Sequence, residues 1–404
     1  MKRILFMAGL AVLLSSYKQP EGMKSVIEKG LSRSVEQAEY LAKSMESDND
    51  SLPRSYTDRT GLIKSNSHWW CSGFFPGVLW YLYEAKGSPK LKRYAEIYTQ
   101  RVADQQYTTD NHDVGFILMC SFGNGYRLTK TESYVPILLN GAQSLSTRFK
   151  PVVGLIRSWD TKTDKWRYPV IIDNMMNLEL LEWAAQHSDS TKFAKIASSH
   201  ANLTMKNHFR KDFSSYHVTG YDPETGQVEK RNTHQGYAHE SAWARGQAWG
   251  LYGYTMMFRE TGDSSYLHHA KGIARFIMSH PNMPKDKVPY WDFNAPDIPH
   301  AKRDASAASI MASAFIELSS LTKETPDFSK QCLNMAEMQL RSLTSAEYLA
   351  KKGTNGGFIL MHSVGNLPKG TEVDVPLTYA DYYYVEALVR YKKMVLNTLK
   401  GKKN

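Results

Sequence analysis

From about residue 22 onward, apolar residues recur at spacings of three and four, the periodicity of helices that turn one face to a core. The pattern predicts twelve helices: Val26–Met45, Val78–Lys86, Leu91–Gln105, Val114–Lys130, Tyr134–Phe149, Met175–His187, Lys192–Phe209, Glu240–Thr261, Ser265–His280, Ala305–Leu321, Phe328–Ser342 and Tyr379–Leu399. Strict apolar–polar alternation is scarce, so the expected class is all-α. Turn signals such as Lys86-Gly87-Ser88-Pro89 and Thr261-Gly262-Asp263 separate the helices, and no Pro- or Ser-rich linker divides the chain. A single domain over about 22–400 follows, built from six helical hairpins of about 60 residues each. Such hairpins stack as an open solenoid or close into a ring. Solenoids show self-similar repeats, and none is visible here. Gly- and aromatic-rich loops after alternate helices suit a closed six-hairpin (α/α)6 barrel, a toroid whose loops line a central pocket.

Residues 1–17 differ from the rest. Lys2 and Arg3 precede an apolar run, Ile4–Leu14, and then Ser15 and Ser16. That is the layout of a secretory signal peptide, too short for a stable membrane anchor. Tyr17 stands where a lipoprotein signal needs its Cys. The expectation is export to the periplasm of a Gram-negative bacterium. No other apolar stretch approaches 18 residues, so no membrane span is expected.

Composition narrows the function. With 42% hydrophobic and 22% charged residues the chain is globular rather than disordered. Nine Trp and 24 Tyr are the means to line a groove. The formal charge of +10 suits an anionic partner, but the basic residues are scattered and not striped, so nucleic acid is not the expected one. Three cysteines without a C-x-x-C pair allow at most one disulfide and no zinc ribbon. There is no phosphate loop, no dinucleotide fingerprint and no nucleophile elbow. His239-Glu240 opens like a zincin motif, but Trp243 occupies the second His position. No metal, cofactor or protein partner is implied.

Two Asp-centred segments, His112-Asp113-Val114-Gly115-Phe116 and Ile172-Asp173-Asn174-Met175-Met176-Asn177, place a carboxylate at the start of a helix-like stretch. N-capping is the plain alternative for both. Asp173, however, has Ile171, Ile172, Met175 and Met176 around it, and apolar surroundings raise a carboxyl pKa toward that of a proton donor. Two carboxyls, one protonated and one ionised, are the usual apparatus for chemistry at a sugar ring. A third segment, Ser241-Ala242-Trp243-Ala244-Arg245-Gly246-Gln247-Ala248-Trp249-Gly250, puts Arg245 and Trp249 four apart on one helix face. A guanidinium beside an indole suits an acidic sugar. The alternative is that Trp243 and Trp249 are core and Arg245 is a surface charge.

These segments, with Ala380-Asp381-Tyr382-Tyr383-Tyr384-Val385-Glu386-Ala387-Leu388, resemble the unsaturated glucuronyl hydrolases, glycoside hydrolase family 88. The resemblance runs from about Ser65 to Tyr391. It implies a six-hairpin α/α barrel acting on the Δ4,5-unsaturated uronic acid that polysaccharide lyases leave at the non-reducing end of glycosaminoglycan oligosaccharides. By the same resemblance Asp173 is the general acid/base and Asp113 the second essential carboxylate, with His112 beside it. Trp70, Trp159 and Trp249 are the aromatic walls of the sugar pocket. His217, Gln235 and Arg245 hold the uronate and the water. The loop His362–Lys369 corresponds to the sulfate-contacting loop and offers Ser363 and Lys369; Asn366 replaces an expected hydroxyl there and Lys369 is shifted by one. Three rivals stay open: an unsaturated rhamnogalacturonyl hydrolase on pectin fragments, a sugar epimerase on a similar barrel, and a glycan-binding protein without catalysis.

Overall fold

The computed structural model describes residues 21–161 and 165–398. The signal peptide expected over 1–17 lies outside them. Twelve helices form among the described residues. Six are buried over most of their length: Phe74–Lys86, a run of Val114–Leu118, a π turn Met119–Gly123 and Asn124–Thr129, then Leu178–Gln186, Ala244–Thr261, Ala305–Leu321 and Thr378–Tyr391. Within Ala305–Leu321 every residue from Ala305 to Ser319 is buried, the mark of a helix enclosed on all sides. The other six, Met23–Ser44, Pro89–Gln100, Tyr134–Ser146, Lys192–Asn207, Ser264–Ser279 and Pro326–Leu343, are amphipathic. Pro89–Gln100, for example, buries Leu91, Tyr94, Ala95, Tyr98 and Thr99 and leaves its lysines outside.

The buried helices pack side by side in chain order, and Thr378–Tyr391 packs back against Phe74–Lys86, which closes an inner ring. Each amphipathic helix covers an inner neighbour. The sixth hairpin joins the chain ends, since Met23–Ser44 packs on Thr378–Tyr391. This is the (α/α)6 barrel. Local chemistry sets several ends. Ser88 caps Pro89–Gln100 through Leu91 N–H, and Gly87 and Gly262 close their helices in the left-handed region.

Nine short strands were not legible as alternation. They form four small antiparallel sheets among the described residues. Two matter here. Val218–Tyr221 lies between Tyr168–Ile171 and Val228–Asn232. Ser363–Asn366 pairs with Thr371–Val375 as a hairpin.

Because the hairpins alternate in direction, the inner helices run parallel. Trp70, Asp113, Asp173, Arg245 and Asp304 all lie at or just before inner-helix starts, at one mouth of the ring. Helix N-termini carry partial positive charge, so this mouth is preset for an anion. The inner C-termini gather at the other mouth. Lys86, Arg127, Arg259 and Arg390 occupy the last turns there and offset the negative ends.

Candidate active site

A cavity of about 390 Å³ opens at the N-terminal mouth, lined by Trp70, His112, Asp113, Trp159, Ile171, Asp173, His234, Gln235, Arg245 and Lys369. Segments far apart in sequence are brought together by specific backbone pairings. Asn111 bridges Trp159, and His112 N–H donates to Ser158 O at 2.9 Å, which sets Trp159 beside Asp113. Asp113 precedes Val114–Leu118, yet its side chain makes no capping hydrogen bond. Its carboxylate is turned to the cavity instead, with His112 Nε2 at 3.4 Å from Oδ1.

Asp173 lies in the 3-10 turn Ile172–Asn177, directly after the strand Tyr168–Ile171. Ile171 pairs with Val218, and Ile172 N–H donates to His217 O at 3.1 Å. His217 thereby sits behind Asp173, its Nε2 at 3.7 Å from Oδ2. The backbone N–H groups of His234 and Gln235 both donate to His217 Nδ1, each at 3.1 Å. An atom that accepts two hydrogen bonds carries no proton, so neutral His217 holds its hydrogen on Nε2, toward Asp173. Asp173 Oδ2 and His217 Nε2 are both buried without a hydrogen-bond partner. At 3.7 Å they face each other just beyond hydrogen-bond distance.

Trp70 lies against Tyr379 with ring centroids 4.7 Å apart, while its neighbour Trp69 stacks on Arg54 at 3.9 Å and does not line the cavity. Arg245 is 1% exposed. Its guanidinium rests on Trp243 at 4.5 Å and Tyr379 at 5.2 Å, not on Trp249 as the sequence suggested. Long helical side chains lean toward the N-terminus, and Arg245 is the second residue of its helix, so it meets the residue before the helix. Trp249 does not line the cavity. It is buried on Phe116 and Tyr383, with centroids at 5.1 and 5.3 Å. Ser363 is also absent from the lining, because its side chain is buried within the hairpin. His217 stands one layer behind. The other eight expected residues share the cavity.

Comparison with known proteins decides the family. The profile of Glycosyl Hydrolase Family 88 matches residues 44–265, more than half of the chain. An unsaturated glucuronyl hydrolase of Formosa agariphila is 45% identical over 86% of this chain and 86% of its own length. The chain belongs to glycosyl hydrolase family 88. An unsaturated chondroitin disaccharide hydrolase of Streptococcus pneumoniae is 34% identical over 83% of this chain and 85% of its own. A crystal structure of an unsaturated glucuronyl hydrolase specific for heparin superposes with a TM-score of 0.88 and 46% identity, covering 94% of this chain and 99% of that one. A Streptococcus agalactiae variant complexed with dGlcA-GalNAc6S superposes at 0.78 with 28% identity, each chain covered to 91%.

The electrostatics of this family 88 site differ in one respect from the sequence expectation. Burial pushes Asp113 up to about 8, with a further push from Asp173. Burial also pushes Asp173 up, to about 6, but the Arg245 guanidinium and a backbone N–H favour its ionised form. Before substrate enters, Asp113 is therefore the better proton holder, the reverse of the expected order. The two are coupled, and around neutral pH the pair carries one proton. Burial holds the nearby histidines neutral: His112 falls to about 3, His217 falls well below its usual value, and His234 falls to about 4 with Lys369 and Lys165 nearby.

Sequence reading missed Ile171, His234 and Asp304. Asp304 is fully buried, caps Ala305–Leu321 through Ser306 N–H, and lies 3.4 Å from Arg245 Nη1. Its signal was Asp304-Ala305-Ser306, a plain helix start.

Proposed function

We propose that this chain removes Δ4,5-unsaturated glucuronic acid from the non-reducing end of lyase-generated glycosaminoglycan oligosaccharides, with Asp173 as proton donor. The observation that carries the reading is a coupled pair of carboxyls, Asp173 buried and Asp113 half-buried, facing one aromatic-walled cavity that a guanidinium and an ammonium also line.

The substrate's C4=C5 bond is conjugated with its ring oxygen. Asp173 gives a proton to C4, and positive charge develops at C5 and the ring oxygen. Water adds at C5 and returns a proton to Asp173, so the enzyme ends as it began. The C5 hemiketal opens to a ketone, and the hemiacetal left at C1 releases the partner sugar. No covalent glycosyl intermediate enters this route.

Each neighbour has a part. The substrate carboxylate near Arg245 offsets the cation that favours ionised Asp173, so binding moves the pair's proton to the residue that must donate it. Asp113, then ionised, favours the cationic transition state. His217 Nε2–H, facing Asp173 Oδ2, favours the carboxylate that Asp173 becomes once its proton is given. Trp70 and Trp159 offer flat faces to the sugars, and Lys369 meets an anionic group on the second sugar.

A panel of unsaturated disaccharides from chondroitin, heparin and pectin tests this, followed by loss of the ultraviolet chromophore. Turnover of glycosaminoglycan disaccharides is expected. Turnover of pectin fragments alone, or binding without chromophore loss, would contradict it.

The basic–apolar–small order of residues 1–17 supports export to the periplasm as part of the same reading. N-terminal sequencing of protein from the periplasmic fraction checks it; an intact Met1 on cytoplasmic protein is the contrary result.

A further inference from the structure

We infer that Arg245 is a positioning residue for the hairpin Ser363–Val375 and, through that hairpin, sets how the enzyme discriminates between second sugars. The hairpin pairs Ser363–Asn366 with Thr371–Val375, and its tip turn Leu367–Lys369 brings Lys369 to the cavity. Its base is unusual. His362, Glu372 and Asp374 have φ of 63°, 55° and 60°, a left-handed backbone that L side chains rarely adopt. Such backbone persists where surrounding contacts over-determine it.

Those contacts come from two sides. On the outer side Arg54 pairs with Glu372 at 2.5 Å, and Asp374 takes His362 at 2.6 Å and Lys302 at 2.7 Å. On the cavity side Arg245 Nη1 donates to Val364 O, Arg245 Nη2 to Gly365 O at 2.7 Å, and Gln235 Nε2 to Gly365 O at 3.1 Å. Asp304 completes the grip: its Oδ1 accepts from Val364 N–H at 3.3 Å, and its Oδ2 is 3.4 Å from Arg245 Nη1.

Both terminal nitrogens of the guanidinium are thus committed to protein oxygens. Nε is buried with no partner, so Nε–H and the second Nη2–H are the donors left for a substrate oxygen. A guanidinium dedicated to a carboxylate presents two parallel N–H groups. This one spends its Nη1–Nη2 edge on two adjacent backbone carbonyls of the hairpin and keeps only the Nε–Nη2 edge for substrate. A lysine keeps the charge beside Asp173 but lacks the planar fork that reaches both carbonyls. The fork therefore fixes the hairpin, and the hairpin places Lys369.

The inference rests on the proposed activity in one respect: the anion facing Lys369 belongs to the second sugar of that substrate. The test compares wild type, Arg245→Lys, Lys369→Gln and the double variant on two unsaturated disaccharides that differ in one sulfate on the second sugar. Amide hydrogen exchange of residues 363–375 is measured on the same proteins without substrate. Wild type should favour the sulfated disaccharide in kcat/KM. Each single variant should lose that preference to a similar degree, and the double should lose less than about two-fold more, as coupled residues do. Exchange across the hairpin should rise about ten-fold or more in Arg245→Lys and stay unchanged in Lys369→Gln. Equal loss on both disaccharides with unchanged exchange in Arg245→Lys would overturn the inference. So would a wild type with no preference between them. If wild type turns over neither disaccharide the proposed activity fails, and unchanged hairpin exchange in Arg245→Lys would still overturn the positioning role separately.

Discussion

Replacing Gly115 by alanine should push the two carboxylates apart. Gly115 follows Asp113 by two residues and faces Asn177, four residues after Asp173. A Cβ there would stand 2.5 Å from Asn177 Cα, 2.7 Å from its Cβ and 2.7 Å from its backbone O. Carbon atoms rest at roughly 3.5–4.0 Å, so the two segments must part by about 1 Å. Rotamer change cannot relieve it, because two of the three atoms are backbone and the third is fixed to it. The segments are also tied by Phe116 N–H to Asn177 Oδ1 at 2.7 Å, a bond this parting would stretch. Overpacking of this kind costs on the order of 1–3 kcal/mol in stability. A displacement of about 1 Å between groups that act together costs roughly 10²-fold in rate. Trp70 and Lys369 lie on other segments, so KM should change less than kcat. Initial rates of chromophore loss and a thermal melt on the same preparation read both effects. The expected result is kcat down about 10²-fold with a lowered Tm. A wild-type kcat would refute the argument, whether or not the Tm fell.

Two further outcomes follow from the buried carboxyls. The active form of the Asp113–Asp173 pair carries one proton, so kcat/KM should be bell-shaped in pH, with limbs near about 6 and about 8. Below the lower limb both are protonated, so Asp113 carries no charge when Asp173 holds its proton; above the upper one no proton remains for C4. A flat profile from pH 5 to 9, on the order of the pair's whole titration range, would contradict this. Asp381 accepts from Ile359 N–H and Leu360 N–H, both at 2.8 Å. Asp381→Ala strands two buried donors and should cost on the order of 2–6 kcal/mol. A denaturant midpoint equal to wild type would contradict that structural role.

The helical part of the fold was legible because the outer helices bury a periodic face and the inner ones are long, largely apolar runs. The starts were less so. The helix expected over Glu240–Thr261 begins at Ala244, since the preceding residues serve the cavity as a loop. The helix expected over Met175–His187 is reached through the 3-10 turn Ile172–Asn177. Strands two to six residues long, such as Phe149–Lys150, are too short for alternation to register. They matter nonetheless, because the pairing of Ile171 with Val218 is what brings His217 to Asp173. Asp113 and Asp173 stood out as carboxylates at helix starts, Asp173 also through its apolar neighbours. Ile171, His234 and Asp304 did not, since their place in the site comes from pairings between distant segments. The order of the two pKa values was likewise hidden, because it depends on Arg245 lying next to Asp173 and not next to Asp113.

Turnover by Asp173→Asn tests the central claim most directly. The amide keeps the shape of the side chain and removes its transferable proton. Chromophore loss from an unsaturated glucuronyl disaccharide should fall by at least about 10²-fold in kcat, with the disaccharide still bound. A rate near wild type would show that the proton reaching C4 comes from elsewhere.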